Sequence, residues 1–179
     1  MPKYAHGKQT KSLTQEEYLT IMDQGHFMQA RHKAFVALLY YTGSRKAEIL
    51  ELTPEACDVG PDALIVRVKA KKHGVERGAY ILRRDLPYVN DIVAAVEKTR
   101  PGKRIFPFTG ATAWNIVKRI LPGHYPHYFR LNRCVAFLDK PDVTQDEVRQ
   151  WFGWKSLRTV DHYLGYSERT TGKLSEKLE

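Results

Sequence analysis

The longest apolar run of the chain, Phe35–Tyr41, places the strongest constraint on how it can fold. The run lies in a segment with helical patterning that stops at Gly43. A helix that is apolar on every side must be covered by other elements, and glycine commonly ends such a helix because it tolerates a left-handed conformation. The sequence therefore predicts a buried helix that stops at Gly43.

Helical periodicity covers most of the remaining chain. Residues 12–22 place Ser and Thr before Gln and Glu and then apolar positions, which predicts a short capped helix. The pattern resumes with Ser44 as the predicted N-cap and continues to Pro54. Further helices are predicted over 85–100, 109–121 (capped by Thr109), 126–138, 144–153 (opened by Thr144) and 156–165.

One segment has strand character instead. Residues 63–70 and 75–82 are rich in β-branched and apolar residues, and a short basic turn with a glycine separates them. This pattern predicts a β-hairpin with Lys71 and Lys72 at its tip. The predicted fold class is mainly α with a small antiparallel β-sheet, an α+β domain.

Composition narrows the class of protein. A chain of 179 residues with 42% hydrophobic and 27% charged residues is expected to form one soluble globular domain. It has no apolar stretch of about 18 residues and no signal-peptide core, so an intracellular protein without a membrane partner is expected. Cys57 and Cys134 lie far apart, which favours buried thiols over a disulfide or zinc site. The formal charge of +9 makes a polyanionic partner plausible.

Two motifs contain residue types that bind phosphate. Arg45 lies near the start of a predicted helix, where a cation is disfavoured unless an anion balances it, and Glu48 follows three residues later. A phosphate would balance Arg45, although an ordinary surface pair with Glu48 fits the same spacing. His127 and Arg130 are also three residues apart and would share a helical face as a phosphate clamp, but such pairs also occur by chance.

A third motif could supply a nucleophile. Trp154 precedes Tyr163 by nine residues, and Tyr166 follows shortly after. A phenol titrates near pH 10 and is a poor nucleophile unless other groups activate it. Taken alone, the pair fits a core tryptophan beside a surface tyrosine. The order of all three motifs, with a lysine at the hairpin tip between the first two, is far more specific than any one of them.

In this order the motifs resemble the tyrosine recombinases, or phage-integrase-type site-specific recombinases, whose active-site chemistry is shared with type IB topoisomerases. The segment YYTGSRKAEILELT is similar to the first arginine box of that family, PHYFRLNRCVAFL to the second and VRQWFGWKSLRTVDHYLG to the nucleophile segment. The resemblance extends from about Leu13 to Tyr166 and implies the tyrosine recombinase catalytic-domain fold.

The resemblance also implies a role for each residue of the site. The two arginines and the tryptophan would hold the phosphate, the glutamate would support the first arginine, the histidine would assist proton transfer, the lysine would protonate the leaving oxygen and the tyrosine would be the nucleophile. The implied catalytic residues are Arg45, Glu48, Lys72, His127, Arg130, Trp154 and Tyr163. Lys69 and Lys71 remain alternatives to Lys72.

The implied function is site-specific recombination of double-stranded DNA through a 3′-phosphotyrosyl intermediate. No metal or other cofactor is expected, because two guanidinium groups supply the positive charge. Self-association as a tetrameric synapse on DNA is implied, in a cytoplasmic protein of prokaryotic or viral origin. Two alternatives remain open, namely relaxation of supercoils by a type IB topoisomerase and a catalytically idle DNA-binding module.

The sequence departs from the family pattern in two ways. Trp154 stands where most members have histidine and a minority of active members have tryptophan, and either side chain can donate a hydrogen bond to phosphate. Most members also place a helical core-binding domain before the catalytic domain, whereas 44 residues precede Arg45 here. The expected organisation is a catalytic domain over 1–166 and a polar tail over 167–179, with no N-terminal core-binding domain.

Overall fold

The computed structural model of the protein describes residues 13–24, 29–69, 76–122 and 124–167. Helices dominate this part of the chain, as predicted. In chain order they are α1 (Gln15–Gln24), α2 (Ala30–Thr42), α3 (Lys46–Leu50), α4 (Val89–Glu97), α5 (Gly110–Ile120), α6 (His127–Leu138), α7 (Gln145–Trp151) and α8 (Arg158–Leu164).

A small antiparallel sheet interrupts the helices between α3 and α4. Its three strands, in the order β1-β2-β3, are β1 (Cys57–Val59), β2 (Ala63–Lys69) and β3 (Glu76–Arg83). Strands β2 and β3 form the predicted hairpin, whereas β1 had not been predicted. The predicted hairpin tip, with Lys71 and Lys72, lies outside the described residues. The predicted fold class, mainly helical with a small antiparallel sheet, is thus confirmed.

The predicted helix ends can be compared with the structure. Gly43 ends α2 in the left-handed conformation with φ of 61°, where its N–H donates to the carbonyl of Leu39 at 3.0 Å. The Thr109 and Thr144 side chains each accept a hydrogen bond from the third residue of the following helix. The predicted cap at Ser44 is wrong. Arg45 is the N-cap of α3, because the Glu48 carboxylate reaches back to accept the Arg45 backbone N–H at 2.7 Å.

The core is divided into two hydrophobic clusters. The large cluster consists of buried side chains from α1 to α5 and the sheet, together with Phe129 of α6. The small cluster lies between α6, α7 and α8 and consists of Cys134, Leu138, Val148, Phe152, Trp154, Val160 and Tyr163. Helix α6 thus has side chains in both clusters, Phe129 in the large one and Cys134 and Leu138 in the small one.

Candidate active site

The first arginine of the site lies at the start of α3. The Nη1 atom of Arg45 donates to Glu48 Oε1 at 3.1 Å, yet 49% of the arginine side chain remains exposed. The Glu48 side chain is fully buried. A buried carboxylate therefore holds a guanidinium that still reaches solvent, which is a suitable arrangement for a group that must meet an external anion.

A second arginine binds the same carboxylate. Arg77 of β3 donates from Nη2 to Glu48 Oε2 and from Nη1 to the carbonyl of Phe152 at 2.7 Å, and only 2% of its side chain is exposed. Sequence reasoning missed Arg77. The register of β2 and β3 shifts between Arg67 and Val68, so that Arg77 pairs with the buried Val68. A bulge changes which side chains share a face, and simple alternation along the sequence does not reveal it.

The arginine of the second motif is the largest fully buried side chain described, with 1% exposed. Nη1 of Arg130 donates to the carbonyl of Gly43 at 3.1 Å, and the guanidinium lies over the ring of Phe152 at 4.5 Å and that of Trp154 at 5.2 Å. Its Nη2 atom is buried and has no hydrogen-bond partner among the described residues. Burial, reinforced by the charges of Arg45 and Arg77, lowers the pKa of Arg130 to about 10.

Gly43 is suited to this contact by its backbone. Its φ of 61° turns its carbonyl out of α2, where Arg130 binds it. A Cβ at this position would lie 2.9 Å from atoms of both Arg133 and Phe152, which is closer than side chains pack. The glycine predicted as a helix end therefore also provides the carbonyl that Arg130 binds.

The histidine of the second motif is the first residue of α6 and is half-buried. Burial lowers the pKa of His127 from its ordinary value of 6.5, and the nearby charges of Arg130, Arg45 and His162 lower it further. Its imidazole is therefore neutral at pH 7. A neutral imidazole can accept a proton, whereas a protonated one cannot.

The third motif forms a stack of aromatic rings. Trp154 lies nearly parallel to Phe152, with ring centroids 4.7 Å apart, and nearly parallel to Tyr163, with centroids 5.2 Å apart. Burial raises the pKa of the Tyr163 phenol, while the charges of Arg130 and Arg45 oppose that rise. The cations that could bind a phosphate thus also favour the phenolate of this tyrosine.

The second tyrosine of this segment, Tyr166, lies near Tyr163 but outside the ring stack. His127, His162, Tyr163 and the half-buried Tyr166 all border a small depression between α6 and α8. No described ring contact joins Tyr166 to Trp154 or Arg130. The tyrosine that follows the tryptophan by nine residues is therefore the one that the structure places beside the arginine.

Six of the seven sequence-predicted residues are brought together in this way, namely Arg45, Glu48, His127, Arg130, Trp154 and Tyr163. The seventh, Lys72, lies outside the described residues, as does its alternative Lys71. Lys69 is the last residue of β2 and is exposed. The identity of the hairpin lysine stays a prediction.

In the described parts of the chain, no group of three or more His, Cys, Asp and Glu residues is arranged to hold a metal ion. None of the described helices combines the length and the apolar character needed to cross a membrane.

The model of the phage integrase family matches residues 11–169. No curated protein sequence matches the chain significantly. Among solved structures, the XerA recombinase is similar with a TM-score of 0.74 and 15% identity, over 100% of this chain and 67% of that one.

Two similar structures were determined with DNA. The XerH site-specific recombinase in a pre-cleavage complex with its difH substrate has a TM-score of 0.69 and 19% identity, over 85% of this chain and 49% of that one. The Tn1549 transposon integrase in complex with circular intermediate DNA has a TM-score of 0.61 and 17% identity, over 99% of this chain and 67% of that one. At these identities the likeness concerns the fold, and the chain spans about half the length of XerH.

Proposed function

Because the chain belongs to the phage integrase family, we propose that it cleaves and rejoins DNA strands in site-specific recombination, with Tyr163 as the nucleophile. The observation that carries this proposal is the buried Arg130 guanidinium, which interacts with the Tyr163 phenol and has a buried Nη2 atom without a hydrogen-bond partner among the described residues. A buried guanidinium with an open donor is costly unless a ligand completes it, and a DNA phosphate has the charge and geometry to do so.

The proposed reaction is an in-line displacement at phosphorus. The phenolic oxygen of Tyr163 attacks the scissile phosphate, the bond from phosphorus to the 5′-oxygen breaks, and a 3′-phosphotyrosyl ester forms. Neutral His127 accepts the phenolic proton, and the hairpin lysine, with Lys72 as the leading candidate, protonates the 5′-oxygen. The ester bond energy is retained in the intermediate, so that rejoining requires no ATP.

Charge stabilisation is assigned to the first two motifs. Arg45 and Arg130 bind the non-bridging oxygens, on which negative charge grows in the transition state, and the Trp154 indole N–H is proposed as a third donor. Glu48 keeps Arg45 oriented through the hydrogen bonds described above. Two fixed guanidinium groups can perform the role that metal ions have in other phosphoryl-transfer enzymes.

The proposed partner is double-stranded DNA, with self-association of four copies in a synapse. The excess of 29 Lys and Arg over 20 Asp and Glu favours binding to the phosphate backbone. Contacts to phosphate position a protein on DNA but do not select a sequence. The experiment that tests this proposal therefore uses DNA of random sequence.

The test is covalent trapping on DNA. The probe is a pool of nicked duplexes with random sequence beside the nick, in which cleavage releases a short oligonucleotide and so prevents rejoining. We expect an adduct that survives denaturation, that maps to Tyr163 by peptide mass spectrometry, and that forms in excess EDTA at a rate within about 3-fold of that in magnesium. An adduct on another residue would overturn the assignment, and no adduct from any sequence would overturn the function.

A further inference from the structure

We propose that Arg77 is a positioning residue of this reaction, which holds the Glu48 carboxylate and the Phe152–Trp154 turn in the geometry that cleavage requires. The inference rests on the proposed function. It assigns to Arg77 no contact with DNA, because its side chain is almost wholly buried. Its action would be transmitted through Arg45 on one side and through the aromatic stack on the other.

The Glu48 carboxylate is shared by Arg45 and Arg77. Its Oε1 accepts from the Arg45 guanidinium, while its Oε2 accepts from the Arg45 backbone N–H and from Arg77. A fully buried carboxylate requires a compensating cation. Without Arg77, Arg45 would be the only arginine described in contact with Glu48, and its guanidinium would be drawn toward the carboxylate. Arg77 therefore leaves Arg45 available to bind a phosphate.

Arg77 also binds the turn between α7 and α8. The other end of the Arg77 guanidinium donates to the Phe152 carbonyl, and Phe152 and Trp154 are successive rings of the stack that ends on Tyr163. Gly153 lies between them with φ of 62°, and a Cβ at that position would collide with the Arg77 side chain. One buried side chain thus fixes both the first arginine and the turn beneath the nucleophile.

These contacts connect three parts of the chain that are distant in sequence. β3 carries Arg77, α3 carries Glu48, and the α7–α8 turn carries the Phe152 carbonyl. Arg77 also contributes to the lowered pKa of Arg130, so its charge reaches the second phosphate-binding candidate. A displacement of about 1 Å in such a site can reduce a rate by about 100-fold, even when the displaced groups do not touch the substrate.

A purely structural ion pair would use the same contacts, so the test must separate rate from folding. The variants are Arg77→Gln, which removes the charge, and Arg77→Lys, which retains the charge but replaces the rigid two-nitrogen fork by a single donor nitrogen. Arg83→Gln is the matched control, because Arg83 lies on the same strand in an exposed pair with Asp85. Each variant is mixed with a saturating amount of the nicked duplex that the wild-type chain selects, below its own melting temperature.

Rate constant and amplitude of adduct formation are recorded separately. For Arg77→Gln we expect the rate constant to fall by about 10- to 100-fold, with amplitude and half-saturating DNA concentration within about 2-fold of wild type. Arg77→Lys should recover part of the rate, and Arg83→Gln should match wild type. In a Glu48→Gln background, Arg77→Gln should cost much less than it does alone, because both changes remove the same interaction.

Several results would overturn the inference. A lower amplitude with an unchanged rate constant would show that Arg77 serves folding only. A wild-type rate for Arg77→Gln, a lysine variant no better than the glutamine variant, or fully additive losses with Glu48→Gln would each exclude a positioning role. If the wild-type chain forms no adduct, the proposed function fails and the inference falls with it, whereas a wild-type adduct with an unaffected Arg77 variant removes the inference alone.

Discussion

The two hydrophobic clusters support different parts of the candidate site. The large cluster supports α3 and the sheet, from which Glu48, Arg45 and Arg77 form a network of charged hydrogen bonds. The small cluster contains Trp154 and Tyr163 themselves. The guanidinium of Arg130, on α6, lies over the Phe152 and Trp154 rings of the small cluster.

The difference lies in how each part is held. The arginines are fixed by directional bonds to a carboxylate and to backbone carbonyls, and those bonds tolerate little displacement. The proposed nucleophile belongs to α8, a helix of seven residues, and its ring is held mainly by stacking on Trp154. A helix this short depends on tertiary packing for its stability. Changes in the large cluster should therefore affect charge stabilisation, and changes in the small cluster should affect the nucleophile.

The largest expected effect comes from the small cluster. Tyr163→Phe should reduce adduct formation by at least about 10³-fold, because the variant lacks the oxygen that attacks phosphorus. The phenyl ring keeps the stack on Trp154, so DNA binding and melting temperature should change little. Tyr166→Phe is the matched control and should react like wild type in the nicked-duplex assay. An adduct that persists in the Tyr163 variant would show that the nucleophile is another residue. The two clusters would then no longer divide nucleophile from charge stabilisation.

The next effect concerns Arg45, the half-exposed arginine at the start of α3. Arg45→Ala should slow adduct formation by about 10²- to 10³-fold, as the loss of a preorganised cation does in other enzymes. In this variant the buried Glu48 keeps Arg77 and the backbone N–H of residue 45 as partners, so the loss of the half-exposed Arg45 side chain should lower the free energy of unfolding by no more than about 1 kcal/mol. Single-turnover kinetics and urea unfolding measure the two quantities. A large loss of stability with a normal rate would mean that Arg45 serves the framework and not the phosphate.

A smaller effect is expected at Trp154, where ring and N–H can be separated. Trp154→Phe retains an aromatic ring between Phe152 and Tyr163 but removes the indole donor. We expect a rate loss of about 10-fold, less than for Arg45, because a neutral donor stabilises an anion less than a guanidinium does. Trp154→His retains a donor but loses ring area, so it should unfold at a lower melting temperature. A phenylalanine variant with the wild-type rate would limit Trp154 to packing.

The smallest effect is a pH dependence. The lowered pKa of His127 keeps its imidazole mainly neutral at pH 7, so the cleavage rate should change little above that pH. The rate should be lost only as the pH falls through the lowered pKa, because protonation removes the acceptor. His127→Gln should be slower and should lack this acid limb. An acid limb centred at or above pH 6.5 would show that burial and the neighbouring cations do not act on His127 as described.

Much of the fold was predictable because its signals are local. The end of α2 at Gly43 and the caps at Thr109 and Thr144 depend on residues within one helical turn. The N-cap of α3 was predicted one residue too early, because the Glu48 carboxylate accepts the Arg45 backbone N–H and so makes Arg45 the N-cap. Strand β1 was missed because three residues are too few to show alternation.

The sequence by itself determined the helical fold class, the family motifs and the spacing that distinguishes Tyr163 from Tyr166. The roles of the seven site residues stay predictions. The tertiary structure alone decided that Arg77 joins Glu48 and that Trp154 stacks on Tyr163. Caps and periodicities arise from neighbours in sequence, whereas a bulged register, a buried ion pair and a ring stack depend on partners that only folding brings together.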